Sequence, residues 1–298
     1  MRRMVLVERR ADERSAPWMD LVASALRRAG YIVRRWRNKR PVPAILTSCD
    51  LVVLWNGIHP LYDEISPLCK RSGVSMAFAE LGWMPQDGAI QLDPEGINAK
   101  ASWMHDPVTW RSGGCVDVPS GDLLVILQSD GDTQIRCLSP YFKNMAAFIR
   151  HLADHSLCQM RVRRHPRAVA SKDVVQTVDG SDKMTWDRSA SLDEAMESAC
   201  ALACVNSTCG LEALDIHLPV LCYGDAVYRR EGAVWCMTAD PSLTRDRTKQ
   251  LDARCCDQII DAQTAVLRHV LSHQYTAEQV PDRVMALMRN AVNRKMVL

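Results

Sequence analysis

The sequence predicts an α/β protein made of two Rossmann-like domains facing a cleft, and three observations carry that prediction. Short apolar runs recur along the chain, among them Met4–Glu8, Asp50–Trp55, Val74–Ala79, Leu123–Leu127, Ala201–Val205 and Val220–Tyr223. Most of them stop at polar or glycine-bearing turns, as strands buried on both faces of a parallel sheet do. Amphipathic stretches of helical spacing lie between them, and strand–helix alternation implies a parallel sheet covered by helices. The rhythm breaks once, from Leu81 to Gly121, where Pro85, Pro94, Pro107 and Pro119 mark loops and an interdomain connection.

In the first half, Met4–Glu8 reads as a strand. Trp18–Ala29 places Leu21, Val22, Ala25 and Leu26 on one helical face and stops at Gly30. Tyr31–Val33 opens a second strand, and Asp50–Trp55 is a third, stopped by Asn56-Gly57. A helix around Tyr62–Arg71 leads into Val74–Ala79. In the second half, the strand Leu123–Leu127 is followed by a helix over Met145–Ala153 and the strand Gln159–Val162. A helix at Leu192–Ser198, the strand Ala201–Val205, a helix at Leu211–Ile216 and the strand Val220–Tyr223 continue the pattern. Ala277–Met296 reads as a helix. The expected organisation is an N-terminal Rossmann-like domain over 1–118, a C-terminal Rossmann-like domain over 119–275 and a C-terminal helix over 276–298.

The chain has 298 residues, 47% hydrophobic and 24% charged, enough for large cores and too apolar for disorder. No apolar run approaches the roughly 20 residues that span a bilayer. The opening Met-Arg-Arg-Met-Val-Leu-Val-Glu lacks the apolar stretch of a secretory signal, so the expected compartment is the cytoplasm. The 12 cysteines are then expected to be reduced. Cys200, Cys204 and Cys209 lie among alanines and leucines on a segment reading as helix then strand. With no Cys-x-x-Cys in the chain, they read as small hydrophobes rather than zinc ligands. Neither a metal nor a cofactor is expected.

The formal net charge is only +2, yet Arg27, Arg28, Arg34, Arg35, Arg37, Lys39 and Arg40 are crowded together with Tyr31 and Trp36. Such a cluster is either a solvated helix end or a docking surface for a polyanion, nucleic acid or an anionic membrane face.

The most informative stretch is Cys204-Val-Asn-Ser-Thr-Cys-Gly-Leu-Glu-Ala-Leu214. It reads as a buried strand, a turn of small polar residues and a helix that starts at once. Ser207 and Thr208 stand at that helix start, where unpaired backbone N–H groups and the helix dipole favour an anion, phosphate above all. Ligands of open α/β sheets sit at the carboxyl ends of strands, and polar residues follow strand after strand here. They are Glu80, then Gln128-Ser-Asp-Gly-Asp132, then Arg163-Arg-His-Pro-Arg167, then Asn206-Ser-Thr208, then Gly224-Asp225 and Tyr228. Taken singly, Glu80 could cap a helix, Asp130-Gly131-Asp132 could be a plain turn and the arginines surface charge. Together they outline one site with carboxylates, forked cations, a histidine and a phosphate cradle. Neither Gly-x-Gly-x-x-Gly nor a P-loop is present, which counts against dinucleotide oxidoreductases and P-loop kinases. The lack of Gly-x-Ser-x-Gly counts against an α/β-hydrolase.

The order Glu80-x-Gly-Trp, Leu-Gln128-x-x-x-Asp132-x-x-Ile, Arg-x-His165-Pro166, Asn-Ser207-Thr-x-Gly-Leu-Glu212-Ala-Leu, then Tyr-Gly224-x-Ala-x-Tyr228, resembles the capsular polysaccharide synthesis glycosyltransferases. The resemblance runs from about Phe78 to Trp235. It implies the Kdo-transferase-like group, with GT-B architecture and a cytidine-linked sugar donor. By that resemblance Asp132 is the nucleophile of a retaining transfer, His165 of the His-Pro166 motif stands beside the donor phosphate, and Glu80 does acid/base work on the acceptor hydroxyl. Ser207 and Thr208 hold the phosphate. Gln128, Arg163, Arg164, Pro166, Glu212, Gly224 and Tyr228 are the further residues expected around the donor, Glu212 on a ribose hydroxyl or a structural partner. A paired nucleophile and acid/base is what two-step glycosyl transfer needs.

The chain is short for that family, and its Ser-Asp-Gly-Asp turn is less bulky than expected there, so the acceptor and the donor sugar stay open. The acceptor is expected to be a glycan or glycolipid. Alternatively it is DNA, as for a phage-type enzyme acting on hydroxymethylated bases with UDP-sugar or another nucleotide sugar; Arg34, Arg35, Arg37, Lys39 and Arg40 are the surface that favours this. A non-catalytic nucleotide-sugar-binding module and a sugar-nucleotide epimerase are the remaining alternatives.

Overall fold

The structure, a computed structural model, describes residues 4–8, 10, 12–36, 43–57, 62–111 and 114–296. In chain order the first elements are β1 (Met4–Glu8), α1 (Ala16–Arg28), β2 (Ile32–Trp36), α2 (Pro43–Thr47), β3 (Leu51–Trp55), α3 (Ile65–Arg71), β4 (Ser75–Leu81) and β5 (Ile90–Asp93). A second series follows: β6 (Asp122–Ile126), α4 (Thr133–Leu138), α5 (Met145–His155), β7 (Met160–Arg163), α6 (Lys172–Asp179), β8 (Met184–Trp186) and α7 (Leu192–Glu197). It continues through β9 (Ala199–Cys204), α8 (Cys209–Asp215), β10 (Val220–Cys222), β11 (Trp235–Cys236), α9 (Pro241–Asp252) and α10 (Ile260–Leu271). The chain ends with β12 (Gln274–Tyr275) and α11 (Val280–Met296).

Two compact units result, Met1–Asp106 with Leu271–Leu298, and Pro107–Val270. The sequence reading puts the boundary at 118/119 and sets 276–298 apart. In the structure the division falls after Asp106, and α11 belongs to the first unit. The reason is burial: Val280, Val284, Leu287 and Met288 pack into that unit's core with Met19, Val22 and Leu26 of α1.

The first unit holds a sheet in the order β12-β5-β4-β3-β1-β2. From β2 to β4 the strands are parallel, while β5 runs antiparallel to β4, and β12 antiparallel to β5. Alternate residues feed two cores. Val5, Val7, Leu51, Val53 and Ala77 face α1 and α11, whereas Leu6, Val52, Leu54 and Phe78 pack with Leu46, Ile65 and Cys69. Burial on both faces is why these strands read as continuous apolar runs. Strand β5 lies inside the stretch expected to be loops. Its Gln91 and Asp93 are buried, which breaks the apolar pattern. Both are satisfied: Gln91 donates to the Leu81 carbonyl at 2.7 Å, and Asp93 accepts the N–H groups of Glu95, Gly96 and Ser102.

In the second unit all strands are parallel, in the order β11-β10-β9-β6-β7-β8. Counted within the unit this is the doubly wound Rossmann order, so the carboxyl ends of β6 and β9 lie side by side at the point where strand order reverses. Every residue of β9 is buried. Leu123, Val125, Ala201, Ala203 and Val162 pack with Phe148, Ile149 and Leu152 of α5 and with Val174 and Val178 of α6. Helices α4 and α9 escape sequence reading because α4 has six residues and α9, Pro-Ser-Leu-Thr-Arg-Asp-Arg-Thr-Lys-Gln-Leu-Asp, is almost wholly polar. The expected fold class, α/β with two Rossmann-like units, is the one observed.

One turn in the first unit is tightly specified. Asn56 and Gly57 follow β3 with φ of 63° and 74°, and a Cβ on Gly57 would come within 2.1 Å of the Phe78 ring. Gly57→Ala therefore combines backbone strain with a clash. We expect a loss of about 2 kcal/mol or more, read as a lower midpoint of chemical denaturation; a loss below about 0.5 kcal/mol would show that the turn is not so constrained.

Candidate functional site

The loops at the carboxyl ends of β6, β7 and β9 carry the second unit's polar groups. After β6, Asp130 Oδ1 accepts the Met145 N–H at 2.6 Å and so caps the start of α5. Asp132 N-caps α4, its Oδ1 accepting the Gln134 N–H at 2.9 Å. The Asp130-Gly131-Asp132 turn is thus fixed by two helix starts, which aims both carboxylates with little freedom.

After β7, His165 is half-buried, and its Nδ1 accepts the Arg167 N–H at 3.1 Å. The proton of the neutral ring therefore sits on Nε2. Burial pushes the imidazole below its ordinary value, the Arg167 charge pushes the same way, and Asp132 partly offsets both. Asp132 and His165 thus lie within electrostatic reach of each other across neighbouring loops. A cavity of about 330 Å³ opens beside them, lined by Gln128, Ser129, Asp130, Gly131, His165, Arg167 and Ser171 over Leu127, Met145 and Val174. Asp132 follows Gly131, the last residue of that loop to line it.

After β9 come Asn206, Ser207 and Thr208, then α8. Ser207 Oγ accepts the Cys209 N–H at 3.3 Å, which takes up one of the N–H groups at the helix start; Thr208 makes no side-chain capping bond. Tyr228 and Gly224 were expected at the donor, and the structure buries both. Tyr228 is 1% exposed, and its hydroxyl donates to the Ser207 carbonyl at 2.6 Å. It lies so close beneath α8 that a Cβ on Gly210 would come within 2.3 Å of it. A Cβ on Gly224 would meet Val205 at 2.8 Å. Both residues pack against the turn. Burial pushes the Cys204 thiol up to about 12 and the Cys209 thiol to about 11, so both stay protonated as small apolar groups. Cys200 and Cys204 stand together on β9, with no helix between them.

The arginines after β7 are divided. Arg163 pairs with Asp187, whose side chain is fully buried, and Arg161 holds the same carboxylate at 3.1 Å. Burial alone would raise the Asp187 carboxyl, but hydrogen bonds from Arg163 and Ser189 overcome it and hold it low. The Arg164 guanidinium stacks on Trp186 at 4.0 Å. The phosphate role expected of both finds Arg164 on Trp186 of β8 and Arg163 on Asp187 just after it, while Arg167 is the cation lining the cavity. Pro166 is exposed beside it. Glu212 is half-buried on α8, and burial, with Asp193 acting the same way, pushes its carboxyl up.

Gln128, expected at the donor, has both ends of its amide on Asn206: Nε2 donates to Oδ1 at 3.0 Å, and Oε1 accepts the Asn206 N–H at 3.1 Å. Asn206, which the sequence places at the head of the Asn-Ser-Thr turn without a role of its own, is thus the partner of Gln128.

In the first unit, Glu80 ends β4. Its Oε2 accepts from Asn56 Nδ2 at 2.8 Å, and its Oε1 from the Leu81 N–H at 3.0 Å. A second carboxylate, Glu8 at the end of β1, was not foreseen. It is 1% exposed, accepts the Trp55 N–H at 2.8 Å and the Tyr62 hydroxyl at 2.9 Å, and burial pushes it up against those bonds. Its signal in the sequence was a lone acid closing an apolar strand. Of the expected polyanion surface, Arg34 is exposed on β2. Arg35 bridges to Asp20 at 2.7 Å and donates to the Met19 carbonyl, tying β2 to α1. Arg37, Lys39 and Arg40 lie outside the described residues.

The second unit is a doubly wound parallel sheet with carboxylates after β6, a histidine after β7 and a Ser-Thr turn after β9, at the strand ends where open α/β sheets bind ligands. Residues 121–276, more than half of the chain, match the family described as capsule polysaccharide biosynthesis protein, and the chain belongs to that family. It is 28% identical over 210 residues to Protein FixF of Sinorhizobium fredii (strain NBRC 101917 / NGR234), covering 62% of this chain and 50% of that one. The chain therefore spans half the length of this curated relative. Among solved structures it is similar to the beta Kdo 2,7 transferase of Thermosulfurimonas dismutans KpsC, at 15% identity and a TM-score of 0.57, over 96% of this chain and 99% of that one. The beta Kdo 2,4 transferase of the same KpsC matches at 13% identity and a TM-score of 0.50, over 95% and 98%. These likenesses show a shared fold, that of GT-B glycosyltransferases.

The electrostatics of His165 can be checked directly. Its NMR titration midpoint should lie below the ordinary 6.5 or so of a histidine. Asp132→Asn should lower it further and Arg167→Ala should raise it. Because the unfolded chain takes the proton first, His165 makes stability fall as the pH drops below about 6.5. A midpoint indifferent to Asp132 would separate the two residues.

Proposed function

We propose that this chain is a glycosyltransferase that moves a sugar from a nucleotide-sugar donor, CMP-Kdo-like, to a hydroxyl of a glycan or glycolipid, with retention of configuration. The observation that carries the reading is that Asp132 and His165, from the loops after β6 and β7, lie within electrostatic reach of each other beside a cavity lined by those two loops. Membership of the capsule family supports the substrate class.

In this reading, Asp132 attacks the anomeric carbon while the bond to the donor phosphate oxygen breaks. The nucleotide departs with the electron pair. Its charge is received at the Ser207–Thr208 turn before α8 and by Arg167, with His165 Nε2–H as a further donor. Capping of α4 by Oδ1 leaves the second Asp132 oxygen for the attack. Fixed geometry matters here, because a misplacement of about 1 Å can cost roughly a hundredfold in rate. In the second step the acceptor hydroxyl attacks the glycosyl ester, a general base takes its proton, and the Asp132 carboxylate is released. Two inversions give net retention.

Thermal-shift titration with CMP, UDP, GDP and ADP tests the donor class. At about 100 times its dissociation constant a bound nucleotide stabilises by roughly 2.7 kcal/mol. The expected result is a CMP-selective shift, diminished in His165→Ala and retained in Asp132→Ala, with turnover of CMP-Kdo lost in the latter. A UDP- or GDP-selective shift would overturn the donor, and no shift with any nucleotide would overturn the site.

A further inference from the structure

The Gln128–Asn206 pair ties the loop after β6, which carries Asp132, to the Ser207–Thr208 turn after β9. Asn206 is buried, 8% exposed, at the carboxyl end of β9. Its Nδ2 faces three backbone carbonyls, those of Gln134 at 3.0 Å, Leu138 at 3.2 Å and Asp225 at 3.4 Å. Its Oδ1 accepts from Gln128 Nε2, while its own N–H donates to Gln128 Oε1. Neither amide can be turned round. A flipped Asn206 would point an oxygen at three carbonyls, and a flipped Gln128 would point an NH₂ at an N–H.

Gln134 and Leu138 lie one turn apart on α4, the helix that Asp132 caps. Holding both carbonyls stops α4 from sliding or rotating against the β9 turn. The same side chain is continuous with Ser207 and Thr208, and reaches the loop after β10 through Asp225. Gln128 in turn opens the loop that carries Asp130 and Asp132.

We infer that Gln128 and Asn206 are positioning residues for glycosyl transfer: a neutral, buried amide pair that sets the distance between the Asp132 carboxylate and the phosphate turn at Ser207–Thr208. The inference rests on the glycosyltransferase reading above. A neutral pair suits the task, since a charged one would carry a desolvation penalty and perturb the electrostatics of the reacting groups.

The test uses Gln128→Glu, close in shape to the native residue, together with Gln128→Ala, Asn206→Ala and the double alanine variant. Turnover of CMP-Kdo and CMP affinity are measured well below each variant's melting temperature. In Gln128→Glu, kcat should fall by about tenfold to a hundredfold, while the dissociation constant for CMP stays within about threefold. The two alanine changes should be non-additive, as expected for residues in direct contact. Gln128→Glu should also recover activity relative to wild type as the pH falls, because a protonated carboxyl regains the donor that Asn206 Oδ1 needs. A merely structural role predicts no such recovery.

A kcat within about twofold of wild type in Gln128→Glu would overturn the inference, and so would CMP affinity falling in step with kcat. Asp132→Ala separates the two levels. If it abolishes turnover while Gln128→Glu does not, the positioning role alone fails; if it leaves turnover intact, the reading beneath fails.

Discussion

The site depends on the parallel pairing of β6 with β9. Leu123, Leu124 and Val125 stand opposite Ala201, Leu202 and Ala203, and all six are buried. Large apolar side chains in such positions contribute about 1.5–3 kcal/mol each when fully buried. The small alanines of β9 leave room for α5 and α6 to close on the sheet. Parallel pairing forces each strand's connection to leave from the same edge, and these two strands flank the point where their crossovers diverge. Two loops far apart in the chain, one carrying Asp132 and one carrying Ser207, are thereby brought to neighbouring positions before any polar contact forms.

The polar contacts then turn neighbouring loops into a defined geometry. Carboxylates cap helices, an amide pair bridges β6 to β9, and Tyr228 supports the Ser207 turn from below. Buried polar groups that are fully partnered make an arrangement unique, whereas a half-satisfied set would be costly. Asp187 illustrates the same economy beside the site. It gathers Arg161 and Arg163 on one buried carboxylate, which fixes the strand end after β7 and leaves Arg167 to face the cavity.

Much of this was legible in the sequence wherever apolar periodicity and strand-end position coincide. The strands β1, β3, β4, β6, β9 and β10 read correctly because burial on both faces makes them continuous apolar runs. Asp132, His165 and Ser207 could be picked out as candidates because ligands of open sheets gather after such strands. Other features were hidden for physical reasons. Strand β5 buries Gln91 and Asp93, α9 is polar, and α11 joins the first unit through contacts that span nearly the whole chain. Tyr228 and Gly224 could be placed near the site by their spacing after β10, but spacing does not show how deeply they pack under the Ser207 turn. Asn206 could be placed in the turn after β9, but its bridging contacts stayed hidden because its three carbonyl partners come from segments distant in sequence.

The central claim is that Asp132 forms a covalent bond to the transferred sugar. The most direct test is intact-protein and peptide mass spectrometry of the protein incubated with CMP-Kdo and no acceptor, since withholding the second step's nucleophile lets the first product accumulate. The account predicts a sugar ester on the peptide containing Asp132, absent in Asp132→Asn. Turnover to a product of inverted anomeric configuration, with no adduct at Asp132, would contradict it.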